Sequence, residues 1–287
     1  MEKQANNNNR QRIAIQGGPG AFHEIAARQY FNDTELEIIP CDTFIDLFES
    51  VRSGSADSAV VAIENSVAGS LIPNYALLRR SELKVTGEVY LRIVQNLIAL
   101  PGQKIDDIRE IHSHPMAIMQ CEDFLLPLRN RGVKVIESID TALSAKWIRD
   151  NSLAGVAALA SDLAAQMYGL EILAESVESN KRNFTRFLII EPETEKGNDL
   201  EENNKASICF SLAHQVGSLS QVLSVLAYYK INLTKIQSLP VIGKEWEYLF
   251  YLDILYDDAS MYRKGLSAIE PLIDQLQILG EYRSGRW

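Results

Sequence analysis

The pattern of apolar and polar positions divides the chain into two regions that meet near residue 200. In the first region, short apolar runs at 13–15, 59–63, 96–100 and 154–159 alternate with segments of helical period. Continuous apolar runs of this length are typical of central strands in mainly parallel sheets. The first region is therefore expected to be an α/β domain.

Helices are expected between these strands, at 21–31, 43–53, 73–79, 116–131 and 141–150. Ser113 and Asp140 are candidate N-caps for the last two helices, because Ser and Asp side chains accept hydrogen bonds from the first helical N–H groups. Pro115 suits the first position of the helix that follows Ser113.

The charged segment 192–205 is expected to be a linker, since it contains Pro192 and Gly197 and shows no apolar period. After it, the pattern predicts a strand, a helix, two strands, a helix and a last strand, at 207–213, 217–229, 232–239, 247–255, 261–276 and 280–283. This βαββαβ order is typical of a ferredoxin-like α+β domain. A chain of 287 residues is also long for one compact unit, which favours two domains.

Composition narrows the classes of partner. The formal net charge is −10, and neither half carries a basic stripe that would neutralise a phosphate backbone, so no nucleic-acid partner is expected. Residues 1–12 are polar and Asn-rich, which predicts a disordered N-terminal tail and not a secretory signal. Since no run of about 18 apolar residues occurs, no membrane association is expected, and the cytoplasm is the expected compartment.

Metal and covalent chemistry find little support in the sequence. Cys41, Cys121 and Cys209 lie far apart and without metal-ligand spacing, which favours reduced thiols. The four histidines lack a spacing such as H-E-x-x-H, and no G-x-S-x-G motif occurs. We therefore expect no metal site and no serine nucleophile.

A hydroxyl and a guanidinium stand side by side in the stretch 183–187, where Thr185 and Arg186 lie between Phe184 and Phe187. A neutral proton donor beside a fixed cation suits a small anionic substrate that loses an oxygen. Strand alternation places Thr185 and Phe187 on one face and Arg186 on the other, so a shared ligand would require a bulge or the start of a strand. An edge strand with outward polar side chains is the structural alternative.

Two further polar groups follow apolar strands, the position at which open α/β sheets bind ligands. The first group is Glu64, Asn65 and Ser66, and the second is Ser113 and His114 with Gln120 on the next helix. A capped turn and a helix N-cap are the structural alternatives. The glycine-rich turn 16–20 likewise either binds an anion at a helix N-terminus or is no more than a tight turn.

These segments, in this order and ahead of a βαββαβ unit, resemble prephenate dehydratase and its close relative arogenate dehydratase. The resemblance runs from about Ile13 to Tyr282. It implies a two-lobed catalytic domain, similar to a periplasmic binding protein, at 13–191. The lobes would comprise 13–90 with 177–191, and 91–176. It also implies an ACT regulatory domain at 206–287.

The resemblance implies decarboxylating dehydration of prephenate to phenylpyruvate in phenylalanine biosynthesis, without a cofactor. Thr185 would assist departure of the substrate hydroxyl, with Asn65, Gln120 and Glu64 as the other catalytic residues. The implied substrate-binding residues are Ser66, Ser113, His114, Arg186, Phe187 and Gly20.

Phenylalanine would bind the ACT domain at a subunit interface and inhibit the enzyme. The implied binding residues are Gly217, Ser218, Leu219, Ser238 and Pro240. A ligand site at an interface between regulatory domains implies a homodimer or a homotetramer. Gln237 and Leu239 replace the Glu and Arg of the family motif, which removes charges from this site.

Two other functions are open at this point. Arogenate dehydratase performs the same chemistry on a substrate that carries an amine, and the opening turn 17–22 is nearer to the plant arogenate-type sequence than to the bacterial one. A non-catalytic sensor of an amino acid or aromatic acid would also use two lobes around a cleft.

Overall fold

The computed structural model describes residues 10–32, 35–193, 202–212, 215–241 and 247–285. The chain divides into two compact units. The first holds the chain up to Leu71 together with Val89–Phe187, and the second holds Ile72–Glu88 together with the chain from Leu188 onward. The segment 72–88 thus belongs to the C-terminal unit, whereas the sequence analysis assigned it to the first lobe. Within the described ranges, no helix is long and apolar enough to cross a membrane.

The first sheet follows the α/β pattern expected from the sequence. Its strands and helices are β1 (Gln11–Gln16), α1 (Phe22–Tyr30), β2 (Leu36–Cys41), α2 (Phe44–Arg52), β3 (Ser58–Asn65), β4 (Gly69–Ser70), α3 (Ile72–Arg80), β5 (Lys84–Arg92) and, much later in the chain, β11 (Phe184–Glu191). The strand order is β2-β1-β3-β11-β5, and β4 pairs with β3. β1 runs parallel to β2 and β3, with Ile13 opposite Ile38 and Ser58. The fully buried side chains of 13–15 fit a central parallel strand.

The second sheet is built from the chain between β5 and β11. Its elements are β6 (Asn96–Ala99), a 3-10 turn (Ile105–Asp107), β7 (Glu110–Ser113), α4 (Pro115–Gln120), α5 (Glu122–Asn130), β8 (Lys134–Glu137), α6 (Thr141–Asp150), β9 (Val156–Ala160), α7 (Asp162–Tyr168) and β10 (Glu171–Ala174). The strand order is β10-β6-β9-β7-β8. β7 is parallel to β8 and β9, but β6 is antiparallel to β9 and β10. The expectation of mainly parallel sheets is therefore wrong for this lobe, because burial of both faces does not encode strand direction.

Three local expectations need correction. The helix expected over 116–131 is two helices, because the backbone leaves helical geometry at Cys121. The N-cap of α4 is His114 and not Ser113, since His114 Nδ1 accepts the hydrogen bond from the Met116 N–H. Residues 11 and 12 of the expected tail pair with β2, while 1–9 and residues 194–201 of the expected linker lie outside the described residues.

The C-terminal unit contains the expected βαββαβ order. Its elements are β12 (Lys205–Leu212), α8 (Ser218–Tyr228), β13 (Asn232–Pro240), β14 (Tyr248–Leu255), α9 (Ala259–Ile269), a 3-10 turn (Glu270–Leu272) and β15 (Asp274–Tyr282). The sheet order is β13-β14-β12-β15, with antiparallel pairing throughout. Phe210, Val222 and Leu226 are central to the core between the sheet and the two helices.

The segment 72–88 packs within this unit against the face of the sheet opposite α8 and α9. Lys205 Nζ donates to both carboxylate oxygens of Glu88, at 2.8 and 2.9 Å, and both side chains are almost fully buried. Gly280 lies so close to Val85 that a Cβ atom there would come within 2.1 Å of the Val85 carbonyl oxygen. Both faces of β12 are thus covered, which explains why every residue of that strand is buried.

Candidate active site

A cavity of about 290 Å³ lies between the two lobes of the first unit. Side chains from both sheets line it, so neither lobe alone forms it. Its polar lining residues are Gln16, His23, Gln95, His114, Gln120, Asp140, Thr141 and Thr185. Phe22, Phe44 and Phe187 are among its apolar lining residues. A mostly apolar cavity of this size with a few polar groups suits one small molecule and not a polymer.

Thr185 is held in the cavity wall by Asn65. The Asn65 side-chain Nδ2 donates to Thr185 Oγ1 at 2.9 Å and to Asn183 Oδ1 at 2.7 Å. The Asn65 Oδ1 accepts from the backbone N–H groups of Val67 and Ala68, at 2.9 and 2.8 Å. Since both ends of the amide are engaged, its orientation is defined by the turn between β3 and β4.

The hydrogen bond from Asn65 decides how the Thr185 hydroxyl can act. A hydroxyl carries one proton and two acceptor lone pairs. Because Asn65 supplies the proton in their shared hydrogen bond, Thr185 keeps its own proton for a second acceptor. Thr185 is 8% exposed and lines the cavity, so that second acceptor can be a bound molecule. The arrangement makes Thr185 a proton donor toward the cavity.

The alternation of side chains along β11 determines which neighbours of Thr185 face the cavity. Phe187 lies on the same face of β11 and also lines the cavity, whereas the buried Arg186 lies on the opposite face and does not line it. A guanidinium shared with Thr185 at one ligand is therefore not part of this geometry.

Three other residues implied by the resemblance, Ser66, Ser113 and Glu64, lie outside the cavity lining. Ser66 Oγ donates to the Arg182 carbonyl and accepts from the Phe184 N–H, so it joins the turn after β3 to the start of β11. Ser113 Oγ donates to the Leu159 carbonyl at 2.7 Å and is fully buried. Glu64 pairs with Ser70 in the β3–β4 ladder. Gln120 and His114, by contrast, line the cavity with Thr185.

The glycine-rich turn joins the two lobes of this unit. Gly20 has φ +88°, and a Cβ atom there would lie 2.9 Å from Ala164 Cα, so only glycine fits without displacement. Its carbonyl accepts from Ser161 Oγ at 2.6 Å. The turn also binds an acidic side chain of the protein, because the Gly18 N–H donates a hydrogen bond to the Asp140 carboxylate.

Asp140 is the N-cap of α6 and accepts from the Leu143 N–H at 2.7 Å. Burial raises the pKa of its carboxyl group, while hydrogen bonds from backbone N–H groups, including that of Gly18, oppose the rise. Among the described residues that line the cavity, Asp140 is the only Asp or Glu, and none is Lys or Arg.

His23 and Gln95 also line the cavity, although neither was predicted as a site residue. The His23 ring packs edge-on against Phe187, with ring centroids 5.0 Å apart, and burial lowers the pKa of the imidazole to about 4. His23 Nε2 and Gln95 Oε1 are covered and have no hydrogen-bond partner among the described residues. The signal for His23 was its place directly after the glycine-rich turn, while Gln95 had none.

The described residues contain no group of three His, Cys, Asp or Glu side chains that could hold a metal ion. In the C-terminal unit, Gly217 has φ +84° and precedes α8 without a side-chain cap. Ser218 and Leu219 form the first turn of that helix, while Ser238 and Pro240 are exposed on β13, the outermost strand of its sheet.

The fold and the cavity define a two-lobed α/β domain with a proton-donating hydroxyl between its lobes, followed by a ferredoxin-like domain. The family model for prephenate dehydratase matches residues 13–195. Arogenate dehydratase/prephenate dehydratase 2 of Arabidopsis thaliana is 39% identical over 298 residues, covering 98% of this chain and 75% of that protein. Arogenate dehydratase 1 of Petunia hybrida is 38% identical over 294 residues, covering 94% of this chain and 66% of that protein. The chain belongs to the prephenate dehydratase family.

Two solved structures are similar over nearly the whole chain. The prephenate dehydratase of Arthrobacter aurescens in complex with L-Phe is 28% identical with a TM-score of 0.81, covering 95% of this chain and 89% of that chain. GqqA, described as a novel type of quorum quenching acylase, is 32% identical with a TM-score of 0.85, covering 96% of this chain and 98% of that chain.

Proposed function

We propose that the chain converts prephenate to phenylpyruvate, water and carbon dioxide in the cavity beside Thr185. The observation that carries this proposal is the hydrogen bond from Asn65 to Thr185 Oγ1, which leaves the hydroxyl proton for an acceptor in the cavity. Family membership and the names of the relatives support it.

The reaction breaks two bonds at opposite ends of the substrate ring. The bond from the ring to the departing carboxylate breaks, and its electron pair enters the ring, which becomes aromatic. The carbon–oxygen bond breaks at the other end, and the leaving oxygen takes a proton from Thr185 and departs as water. Thr185 then regains a proton from solvent.

The weak acidity of threonine determines the timing of proton transfer. A threonine hydroxyl does not give up its proton to an intact alcohol, so transfer follows the rising basicity of the leaving oxygen. The Asn65 N–H, already directed at Oγ1, stabilises the negative charge that develops there. Aromatisation supplies the driving force, and the protein positions the donor.

The described cavity lining contains no Lys or Arg. Other groups must therefore donate hydrogen bonds to the carboxylates of the substrate. The first turn of α1 lines the cavity, and its N-cap residue Ala21 offers no side-chain cap. Helix N-termini present N–H groups with partial positive charge. The N–H groups of Phe22 and His23 are the proposed donors, together with the side chain of Gln120 and with Nε2 of His114, whose Nδ1 accepts from Met116.

The test is turnover of prephenate by the purified protein, followed by the absorbance of phenylpyruvate against a protein-free control. Catalysed formation of phenylpyruvate is the expected result. Binding of prephenate without turnover would contradict the proposal and favour the non-catalytic sensor.

We also propose arogenate as a substrate of the same cavity, and the names of the plant relatives support this choice. It carries an amino group where prephenate carries a keto group, and the same two bonds break. We do not extend the acylase description of GqqA to this chain. A nucleophilic acylase needs a base beside its hydroxyl, whereas the hydrogen-bond partner of Thr185 Oγ1 among the described residues is the Asn65 amide, which is not a base.

We propose that phenylalanine binds the C-terminal unit at Gly217, Ser218, Leu219, Ser238 and Pro240 and inhibits the enzyme. The uncapped first turn of α8 offers N–H groups to a carboxylate, and the complex of the Arthrobacter aurescens relative with L-Phe supports the choice of ligand. Calorimetric titration should give saturable heat with phenylalanine, and a Gly217→Val variant should lose it. Absence of heat with the wild-type protein would refute this site.

The exposed strand β13 at the sheet edge supports a homodimer or homotetramer, because an unpaired edge can accept a second copy. Sedimentation analysis tests this, and a monomer at micromolar concentration would contradict it. The free, buried thiols of Cys41, Cys121 and Cys209 fit a reducing compartment, and the cytoplasm is our proposal, although the Arabidopsis relatives are named chloroplastic.

A further inference from the structure

We propose that His23 and Gln95 recognise the group at carbon 2 of the substrate side chain, and that they select an amino group over a keto group. This inference rests on the proposed function, since it assigns two residues of the same cavity. It concerns the end of the substrate away from the leaving hydroxyl. The two residues would be specificity-determining contacts and would not take part in the proton transfer.

The position of His23 fits the far end of the substrate. Its ring packs against Phe187 and faces Phe44, with ring centroids 5.0 and 5.7 Å away, so the two aromatic rings restrict its rotation. Phe187 follows Thr185 by two residues, which is roughly 7 Å along an extended strand. The leaving hydroxyl and the side chain of the substrate stand at opposite ends of a six-membered ring, a comparable separation.

Gln95 is held with similar firmness. Its backbone N–H donates to Glu178 Oε2 at 3.0 Å, and its carbonyl accepts from the Val177 N–H at 2.7 Å. The residue is 2% exposed and lines the cavity. With its backbone anchored on both sides, the side-chain amide has little freedom to turn away from the cavity.

Both side chains carry an atom that lacks a partner. His23 Nε2 and Gln95 Oε1 are buried and unbonded among the described residues. A buried polar atom without a hydrogen bond destabilises a protein, so two of them at one cavity indicate a ligand that completes them. The Gln95 oxygen can only accept a hydrogen bond, and a neutral imidazole nitrogen can accept one as well.

The two candidate substrates differ at carbon 2 of their side chains, where prephenate carries a keto group and arogenate an amino group. A keto oxygen can only accept, so it leaves both acceptor atoms, His23 Nε2 and Gln95 Oε1, unsatisfied. An ammonium group donates three hydrogen bonds and satisfies both. The lowered pKa of His23 supports an uncharged acceptor at neutral pH. Asp140 is the only Asp or Glu among the described lining residues, and its carboxylate also favours a cationic group.

The experiment compares kcat/KM for arogenate and prephenate in the wild-type protein and in two variants. His23→Phe keeps the ring packing without the nitrogens, and Gln95→Met keeps the length without the amide. His112→Phe is the matched control, because His112 packs on Trp147 and does not line the cavity. We expect the wild-type protein to prefer arogenate, and each cavity variant to lower the ratio of the two kcat/KM values about tenfold or more. The control should keep the wild-type ratio.

Thermal unfolding of the ligand-free variants separates recognition from a structural role. Removing an unsatisfied buried atom should leave the melting temperature unchanged or raise it, whereas a structural role predicts a decrease together with an unchanged ratio. A ratio within about twofold of wild type in both cavity variants refutes the inference. A wild-type protein that prefers prephenate refutes it whether or not the variants fold. Failure to convert either acid would instead overturn the proposed function itself.

Discussion

Replacement of Thr185 by Val tests the proton donor with little change of shape. Valine keeps the β-branched side chain that suits β11 and removes only the hydroxyl. In the transition state the leaving oxygen loses its donor, and removal of one such donor costs about 10²–10³ in kcat. We therefore expect kcat to fall by about two to three orders of magnitude, measured as product formation at saturating substrate.

The same change has a small structural cost that can be worked out from the hydrogen bonds of Asn65. Its Nδ2 keeps Asn183 Oδ1 at 2.7 Å and the Phe184 carbonyl at 3.3 Å when Thr185 Oγ1 is removed. The loss of one hydrogen bond among several costs about 1 kcal/mol. For a unit of this size that lowers the melting temperature by about 2–4 °C. A protein with about 5–15 kcal/mol of stability stays folded, so unfolding cannot account for the loss of rate.

Thr185→Ser is the control, because serine restores the hydroxyl and should recover most of kcat. A valine variant that retains kcat within a factor of about three, with a normal melting curve, would remove Thr185 from the mechanism. An equal loss in the serine variant would show that a hydroxyl at position 185 is not sufficient for catalysis without the methyl group of threonine.

Three further predictions address the scaffold. Gly20→Ala should destabilise the protein by about 2 kcal/mol or more in urea unfolding, because the new Cβ meets Ala164 at a φ that disfavours alanine; an unchanged urea midpoint would contradict the close approach. Lys205→Met should cost about 3–5 kcal/mol in the same assay, because it leaves buried Glu88 without its cation; adding Glu88→Gln should recover part of this loss, and no recovery would argue against the ion pair. The third concerns pH: the pKa of His23 is lowered from 6.5 to about 4, so the unfolded chain takes up a proton that the folded chain does not. The His23 contribution to stability is present above pH 6.5 and is lost as the pH falls toward 4. Over this range, the free energy of unfolding should therefore decrease less steeply with falling pH in the His23→Phe variant than in the wild-type protein.

The order of strands and helices could be predicted because apolar period is a local property of the sequence. All six elements of the C-terminal domain lie near their expected positions. The exception is the end of α9, expected at 276 and found at Ile269. Pro271 opens a 3-10 turn there, and Leu276 and Ile278 belong to β15, which pairs with β12. The apolar period around Leu276 fits a helix as well as a strand, and pairing with the distant strand β12 makes this stretch a strand.

Strand direction and domain boundaries depend on contacts that the sequence pattern does not contain. The apolar run of β6 is buried on both faces, as a parallel strand would be, yet it is antiparallel to its neighbours. The resemblance to prephenate dehydratase assigned the segment 72–88 to the first lobe. Its membership of the C-terminal unit depends on Lys205 and Glu88, which are 117 residues apart.

The candidate site was partly visible in the sequence. Asn65 and Thr185 belong to separate polar segments, and the structure places them 2.9 Å apart. His23 could be suspected only from its place directly after the glycine-rich turn, and no feature of the sequence pointed to Gln95. Their significance comes from an atom that lacks a partner, and that property exists only in three dimensions.

The most direct test of the central claim is a crystal structure of the Thr185→Val variant with its preferred substrate bound. Slow turnover in this variant should allow the intact acid to be observed. The account predicts the substrate ring beside Phe187, the leaving hydroxyl against the side chain of residue 185, and the carbon 2 group facing His23 and Gln95. A substrate bound outside this cavity, or with its hydroxyl directed away from residue 185, would contradict the account.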